Sequence, residues 1–295
     1  MRHGEGAYAE ASAGRIYFET EGEGPAVFVV PGGPGVGHAH YHPWFSRLAE
    51  NHTIVYFDHL GTGRSERLAD PGLYTIALYA ESIEGLRAHL GLEQISLVGL
   101  SFGGMPAIEY ALGYGDRLDR VVLSNAQLSA RTWQEGNIDN LNHEVRNQHP
   151  EAWAEISALR RAGILSLDPR YQELLEPALA GMEWFDPEHV PTLERDPAEG
   201  FELAVYEAFV GPDPEWEVTG TMAGFDPTEL LGALETPALV ITGRHDRVTP
   251  PRIAAVIAAA LPAASAELVV FERSAHRPWA EEPDDYFERV AAFLR

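Results

Sequence analysis

Short apolar runs that alternate with helix-length segments are the feature that most constrains the fold. A short run of apolar residues suits a strand whose two faces are both covered. The runs occupy residues 15–20, 26–30, 53–58, 94–100 and 120–124. Helix-like segments lie between them at 40–50, 76–90 and 103–114. Strands joined by helices run parallel, so this part of the chain predicts a mostly parallel central sheet flanked by helices on both faces.

The alternation is interrupted in the middle of the chain. From about 127 to 225 the sequence is polar and helix-like, with several Asp-Pro breaks, and no segment resembles a buried strand. Strand-like runs return at 237–243 and 267–272, with helix-like segments at 252–261 and 283–294. We therefore expect one α/β core formed by 1–126 and 226–295, with a helical insertion at 127–225.

Charge and residue usage exclude several classes of function. Acidic residues outnumber basic ones by 45 to 21, and the formal net charge of −24 would repel a nucleic acid or an anionic membrane. The chain has no lysine for Schiff-base chemistry and no cysteine for disulfides or thiolate chemistry. No apolar stretch is long enough to cross a bilayer, and no secretory signal is visible. The default expectation is a cytoplasmic protein.

The sequence G-x-S-x-G at 99–103 is the strongest chemical signal. It follows an apolar run typical of a buried strand and precedes a helix-like segment. A serine at such a turn is held in a sharp, exposed conformation, and the glycines let the helix pass close to the strand. The N-terminus of the helix adds positive potential where an oxyanion would form. Ser101 is therefore predicted to be a catalytic nucleophile rather than part of an ordinary turn.

A glycine-rich loop, PGGPG at 31–35, directly follows the apolar run at 26–30. Such a loop can point a backbone N–H into a cavity without obstruction by a side chain. Beside a serine on a strand-to-helix turn, it is the expected source of one oxyanion donor, and the residue after the serine supplies the other. Gly33 and Phe102 are the predicted donors.

A nucleophilic serine needs a base and an acid that orients the base, and the expected chain order is Ser, Asp, His. Asp246 follows the strand-like run at 237–243, and His276 follows the run at 267–272. Parallel strands deliver such loops to one edge of the sheet. We therefore predict Asp246 and His276 as the partners of Ser101, with Asp226 and Glu272 as the alternatives for the acid.

The histidines His38, His40 and His42 could in principle hold a metal ion. Alternate histidines of a strand share one face. However, the sequence shows neither a strand nor a carboxylate that would complete such a site, so we expect no metal and no cofactor.

Five ordered motifs make the chain similar to the proline iminopeptidase family of α/β hydrolases. They are PGGPG at 31–35, FDHLGTGRS at 57–65, GLSFGG at 99–104, GRHDRVTP at 243–250 and SAH at 274–276. The resemblance covers nearly the whole chain. It implies an α/β-hydrolase fold with an inserted helical cap, and removal of an N-terminal residue, often proline, from a small peptide or amide.

The resemblance also implies a residue that binds the substrate's α-amine. The stretch GPDPEWEVTG at 211–220 resembles the part of the cap that carries this acid, which makes Glu215 the candidate. The family's second acid often follows the triad aspartate, but Arg247 stands there. Pro31 and Phe102 also differ from the residues usual at their positions.

Three functions are consistent with these residues. The first is the aminopeptidase or amidohydrolase reaction that the resemblance implies. The second is a carboxylesterase or lactonase on the same scaffold, because a cation at Arg247 would repel an α-amine and favour a carboxylate-bearing substrate. The third, a binding protein without activity, would not need the complete set of catalytic residues. For the enzymatic functions, the partner is a small molecule or a short peptide.

Overall fold

One twisted sheet organises the part of the chain that the structure describes, which is residues 6–188, 190–193 and 200–295 of a computed structural model. Its strands are β1 Ala7–Ala11, β2 Gly14–Glu21, β3 Ala26–Val30, β4 Thr53–Phe57, β5 Ile95–Leu100, β6 Leu118–Ser124, β7 Ala238–Gly243 and β8 Ala266–Phe271. The α-helices are α1 Ile76–His89, α2 Gly104–Gly113, α3 Ala130–Thr132, α4 Asp139–Gln148, α5 Pro150–Arg161, α6 Pro169–Leu179, α7 Leu203–Val210, α8 Pro251–Ala260, α9 Pro278–Glu281 and α10 Pro283–Phe293. Short 3-10 turns lie at Ala39–Tyr41, Trp44–Leu48, Pro71–Leu73, Ser101–Gly103, Gly115–Arg117 and Thr228–Ala233, and a π-helical turn at Trp133–Ile138.

The strands pair in the order β1-β2-β4-β3-β5-β6-β7-β8. The pairs β1–β2 and β2–β4 are antiparallel, and the pairs from β4 to β8 are parallel. The prediction of a mostly parallel sheet flanked by helices is confirmed. Parallel pairing brings the C-terminal ends of β3, β5, β6, β7 and β8 to one edge, where the loops that follow them meet.

The alternation of side chains along β3 explains why helices cover both faces of the sheet. Phe28 and Val30 belong to an apolar layer that α1, α2 and α8 complete. Val27 and Val29 point the other way, into a layer that contains Phe45 and residues of α9 and α10. All of these β3 side chains are buried, so the strand is apolar throughout rather than alternating.

Two elements differ from the sequence-based expectation. The predicted helix at 40–50 is wrong: the chain forms two separate 3-10 turns, with Pro43 between them. Inside a helix, proline has no N–H to donate and its ring clashes with the carbonyl four residues earlier, so Pro43 disfavours one continuous α-helix there. The antiparallel strand β1 was not predicted, because its alternating residues include small alanines and only Ala9 is fully buried.

The described residues between β6 and β7 form helices joined by loops, and we call this segment the helical insertion. Among the residues described there, none forms a strand, and α4, α5 and α6 share a small apolar core of their own. That core consists of Val145, Ile156, Tyr171, Leu175 and Ala178. In the described chain, no helix combines the length and the apolar character needed to cross a membrane.

Candidate active site

Ser101 lies at the C-terminal end of β5, where the chain turns into α2. Its φ of +53° is in the left-handed region, which is strained for a residue with a side chain. The glycines around it are required by close approach. A Cβ on Gly103 would lie 2.4 Å from the carbonyl oxygen of Val30, and one on Gly99 would lie 2.8 Å from that of Gly103. The turn therefore presents Ser101 to the cavity that it lines.

The glycine-rich loop lies beside this serine. Gly33 lines the same cavity and has a φ of +121°, which only glycine adopts without strain. A Cβ added to Gly32 would lie 3.2 Å from Cβ of Ser101, so the loop and the serine nearly touch. The N–H of Gly32 donates to the hydroxyl of Tyr41 at 2.9 Å, which fixes the orientation of this peptide.

Phe102, the second predicted donor, is the second residue of the 3-10 turn Ser101–Gly103. The first N–H groups of a helix have no partner within the helix, so such an N–H is available to an oxyanion. The ring of Phe102 is fully buried and packs edge-to-face against Trp133 and Phe209. This packing anchors the residue after the serine in the core.

The loops after β7 and β8 bring Asp246 and His276 together. The Nδ1 atom of His276 lies 2.8 Å from Oδ2 of Asp246. The other oxygen of Asp246 accepts the N–H groups of Val248 and Thr249, both at 2.8 Å. These bonds fix the position of the carboxylate beside the imidazole, and His276 lines the cavity together with Ser101.

The two alternative acids are engaged elsewhere. Asp226 accepts from Thr228 and lies near Arg131, and Glu272 forms an exposed ion pair with Arg244. Asp246 is therefore the acid that the structure brings to the histidine.

Sequence reasoning missed Asn125, which follows β6 at the same edge of the sheet. Its Nδ2 donates to Oδ2 of Asp246 at 2.6 Å and to the carbonyl of Ala275 at 3.1 Å. Asn125 has a φ of +48°, and asparagine tolerates this region better than most residues. A single asparagine after a strand carries no sequence motif. Its position at the end of β6 was the only available signal.

The charges around His276 control its protonation. Burial alone would lower the pKa of His276, but the charge and hydrogen bond of Asp246, with the charge of Glu183, raise it above its usual value. The backbone N–H of His276 also donates to the carbonyl of Glu183 at 3.0 Å. Glu183 belongs to the helical insertion, so both parts of the chain hold the histidine.

The cavity above Ser101 has a volume of about 1130 Å³. Its wall comes from the glycine-rich loop, the His276 loop and the helical insertion. Among the described residues of the wall, Glu176, Glu183 and Glu215 carry carboxylates and Arg277 provides a cation. The volume is slightly above the range of about 300–1,000 Å³ that is usual for small-molecule sites.

Glu215, the candidate amine-binding residue, is among the residues that line this cavity. Burial raises the pKa of its carboxyl to about 7, although a long hydrogen bond of 3.5 Å from the Tyr206 hydroxyl lowers it in part. The backbone of Glu215 is fixed on both sides: its N–H donates to Ser166 and its carbonyl accepts from Asn142. No ion-pair partner of Glu215 is found within the described residues.

Arg247 does not face this acid. Its Nη2 donates to the carbonyl of Gly181 in the helical insertion at 3.3 Å, and its own carbonyl accepts from Asn140. The residue next to it, Val248, lines the cavity, whereas Arg247 is absent from the described residues of the wall. The cation at this position therefore serves contact with the insertion.

The histidines of the 38–42 segment separate into two environments. His40 packs on Tyr41 and lines the active-site cavity, and burial lowers its pKa to about 3. His38 and His42 instead lie near Glu19, with their ligand atoms within 4.8 Å of one another. The expectation that no carboxylate accompanies these histidines is wrong, because β2 brings Glu19 to them.

This buried group already has the partners that a polar cluster needs. Nδ1 of His38 lies 2.7 Å from Asp58, and the hydroxyl of Tyr17 donates to Glu19 at 2.7 Å. Burial would raise the pKa of Glu19, but hydrogen bonds from His38 and Tyr17 lower it to about 2. Arg64 lies 3.5 Å from the same carboxylate and supplies a positive charge. The cluster therefore joins the segment after the glycine-rich loop to β2 and to the loop after β4.

The chain matches a family model and is similar in sequence to known proteins. The family model for the alpha/beta hydrolase fold matches residues 25–283. The proline iminopeptidase of Clostridioides difficile is 31% identical over 283 residues, covering 93% of this chain and 91% of that protein. That of Heyndrickxia coagulans is 28% identical over 296 residues, covering 97% of each.

Solved structures share the fold at lower identity. The proline iminopeptidase of Mycobacterium smegmatis superposes with a TM-score of 0.79 at 24% identity, covering 98% of this chain and 97% of that one. The structure of VinJ gives a TM-score of 0.83 at 24% identity, with 99% of each chain covered. At this identity the likeness establishes the shared fold.

Proposed function

The chain belongs to the α/β-hydrolase family, as a proline iminopeptidase-like hydrolase, and we propose that it removes an N-terminal aminoacyl group of the prolyl type from a small peptide or amide through an acyl-enzyme. Ser101, His276 and Asp246 are the proposed triad. Their arrangement at one sheet edge, with a direct bond between His276 and Asp246, supports these roles.

The proposed reaction has two steps. His276 takes the proton of Ser101 as its oxygen bonds to the acyl carbon, and Asp246 stabilises the imidazolium. The N–H groups of Gly33 and Phe102 stabilise the oxyanion, and the C–N bond breaks as His276 returns the proton to the leaving amine. Water then attacks the acyl-enzyme as His276 takes its proton. The bond between the acyl carbon and the Ser101 oxygen breaks, His276 returns the proton to Ser101, and the amino acid is released.

The observation that carries the substrate class is a partly buried carboxylate in the cavity of the nucleophile. Glu215 has a pKa raised to about 7 by burial, and among the described residues no arginine or histidine forms an ion pair with it. The α-ammonium group of an N-terminal residue would supply this counter-charge. A charge-assisted hydrogen bond of this kind is worth about 1.5–3 kcal/mol. The Arg247 guanidinium donates to the carbonyl of Gly181 and is not among the groups that shift the pKa of Glu215, so it does not occupy this carboxylate.

Paired substrates that differ only in the amine test the proposal. Prolyl anilide and cyclopentanecarboxylic anilide have the same ring size and leaving group, and only the first carries the amine. We expect the wild-type chain to prefer prolyl anilide by about 10- to 150-fold in kcat/KM, which is the stated free energy converted to a rate ratio. Glu215→Gln should abolish this preference. Glu217→Gln removes the same charge from an exposed position two residues away and should retain it.

The opposite result identifies the alternative function. If the two anilides react equally in the wild-type chain, Glu215 does not bind an amine. If aryl esters and lactones are hydrolysed while every free-amine anilide is inert, the chain is a carboxylesterase or lactonase on the same scaffold.

A further inference from the structure

One segment of the helical insertion contacts the loop that carries His276. The carbonyl of Glu183 accepts the backbone N–H of His276 at 3.0 Å. The carboxylate of the same residue accepts from Nε and Nη2 of Arg277 at 3.0 and 2.5 Å. Glu183 therefore holds both the backbone of His276 and the side chain that follows it.

Aromatic rings fix the arginine in this pair. The Arg277 guanidinium lies 5.4 Å from the ring centre of Trp184 in the insertion and 5.8 Å from that of Trp279 in α9. Its side chain is 18% exposed, whereas that of Glu183 is 44% exposed and faces the cavity. Burial would raise the pKa of Glu183, but the charges of Arg277 and His276 lower it, so the carboxylate stays ionised.

We propose that Glu183 and Arg277 are positioning residues that fasten the helical insertion to the His276 loop and balance the charge beside the imidazole. The proposal rests on the proposed role of His276 as the base. In this proposal the helical insertion helps to set the pH range of activity, and it also shapes the substrate cavity.

The effect of the Glu183–Arg277 pair on the protonation of His276 depends on the other groups that face this imidazole. Asp246 contacts Nδ1 from the loop after β7, together with the hydroxyl of Thr249 at 3.1 Å. Glu183 and Arg277 supply one negative and one positive charge from the insertion and from the His276 loop. His40, which neighbours the pair, is neutral above about pH 3 because burial lowers its pKa. The charges of Glu183 and Arg277 are therefore the ones near the imidazole that can be removed by substitution outside the proposed triad.

Removing one partner at a time has opposite consequences. Glu183→Gln leaves the cation of Arg277 beside the imidazole, which destabilises the imidazolium and lowers the pKa of His276. Arg277→Met leaves the anion of Glu183 and raises that pKa. A single charge in a partly buried setting shifts a neighbouring pKa by about half to one unit. The double variant removes both charges and should return the value toward that of the wild-type chain.

The pH dependence of inactivation by a fluorophosphonate tests the proposal without a known substrate. The rate constant rises as His276 loses its proton, so its midpoint reports the base in the free enzyme. We expect Glu183→Gln to move the midpoint about half to one unit down and Arg277→Met to move it up by a similar amount. Glu272→Gln, which removes the same charge from the exposed pair with Arg244, should leave the midpoint unchanged.

The outcomes separate this inference from the proposed function. If the wild-type chain is not inactivated at all, the serine hydrolase reaction itself is wrong. If inactivation occurs but the two variants shift the midpoint in the same direction, or not at all, Glu183 and Arg277 do not tune His276. Thermal melting checks that each variant is folded, and either variant alone still reports the sign of its own shift.

Discussion

Replacing Asn125 tests how the Asp246 carboxylate is held. We compare Asn125→Gly with Asn125→Ala, because glycine removes the amide without opposing the φ of +48°, whereas alanine also strains the backbone. The lost bonds are one to the charged Asp246 at 2.6 Å and one to the neutral carbonyl of Ala275 at 3.1 Å. Bonds to charged and neutral partners contribute about 1.5–3 and 0.5–1.5 kcal/mol, respectively.

From these values, Asn125→Gly should lower the free energy of unfolding by about 2–4.5 kcal/mol. Asn125→Ala should lower it by about 1 kcal/mol more, because of the left-handed backbone. Urea denaturation measures both changes. Since Asp246 would lose the donor that shares Oδ2 with His276, we expect kcat/KM on prolyl anilide to fall about tenfold, equivalent to about 1.4 kcal/mol of transition-state stabilisation.

The difference between the two variants is the internal control. If the free energy of unfolding of Asn125→Gly lies within about 0.5 kcal/mol of the wild-type value and the variant keeps full activity, the amide does not hold Asp246. If Asn125→Gly has a lower free energy of unfolding than Asn125→Ala, backbone strain at this position does not determine the difference between the two variants.

Three further predictions concern the cavity. Because burial raises the pKa of the Glu215 carboxyl to about 7, the ratio of kcat/KM for prolyl anilide over cyclopentanecarboxylic anilide should fall as the pH drops below about 7. It should fall again above about pH 8, where the α-amine of prolyl anilide loses its proton; a ratio independent of pH would contradict this. Tyr41→Phe leaves the Gly32 N–H without its acceptor, so kcat should fall about tenfold with KM little changed. An unchanged kcat would show that this hydrogen bond does not orient the glycine-rich loop. Ser101→Gly relieves the positive φ and should be about 1 kcal/mol more stable to urea than Ser101→Ala, and equal stabilities would refute this.

The part of the site that could be predicted from the sequence depends on local patterns. Ser101 follows an apolar run and stands between glycines, and Asp246 and His276 follow two later runs. Because parallel strands share one C-terminal edge, their proximity could be inferred without knowing the strand order. The same reasoning gave most strands within one or two residues of their observed bounds.

The parts that were missed depend on tertiary contacts. Asn125 and the Glu183–Arg277 pair carry no motif, and their roles appear only when the helical insertion and the loops are placed in space. Glu19 lies far in sequence from His38, so the buried cluster could not be inferred from histidine spacing. The predicted helix at 40–50 was wrong because the prediction gave too little weight to Pro43, which lies between two separate 3-10 turns.

The most direct test of the central claim is peptide mapping by mass spectrometry after reaction with a fluorophosphonate. The proposed mechanism predicts a single adduct on Ser101, no adduct in Ser101→Ala, and much slower labelling in His276→Ala. An adduct on another residue, or hydrolysis of prolyl anilide by Ser101→Ala at the wild-type rate, would contradict the assignment of Ser101 as the nucleophile.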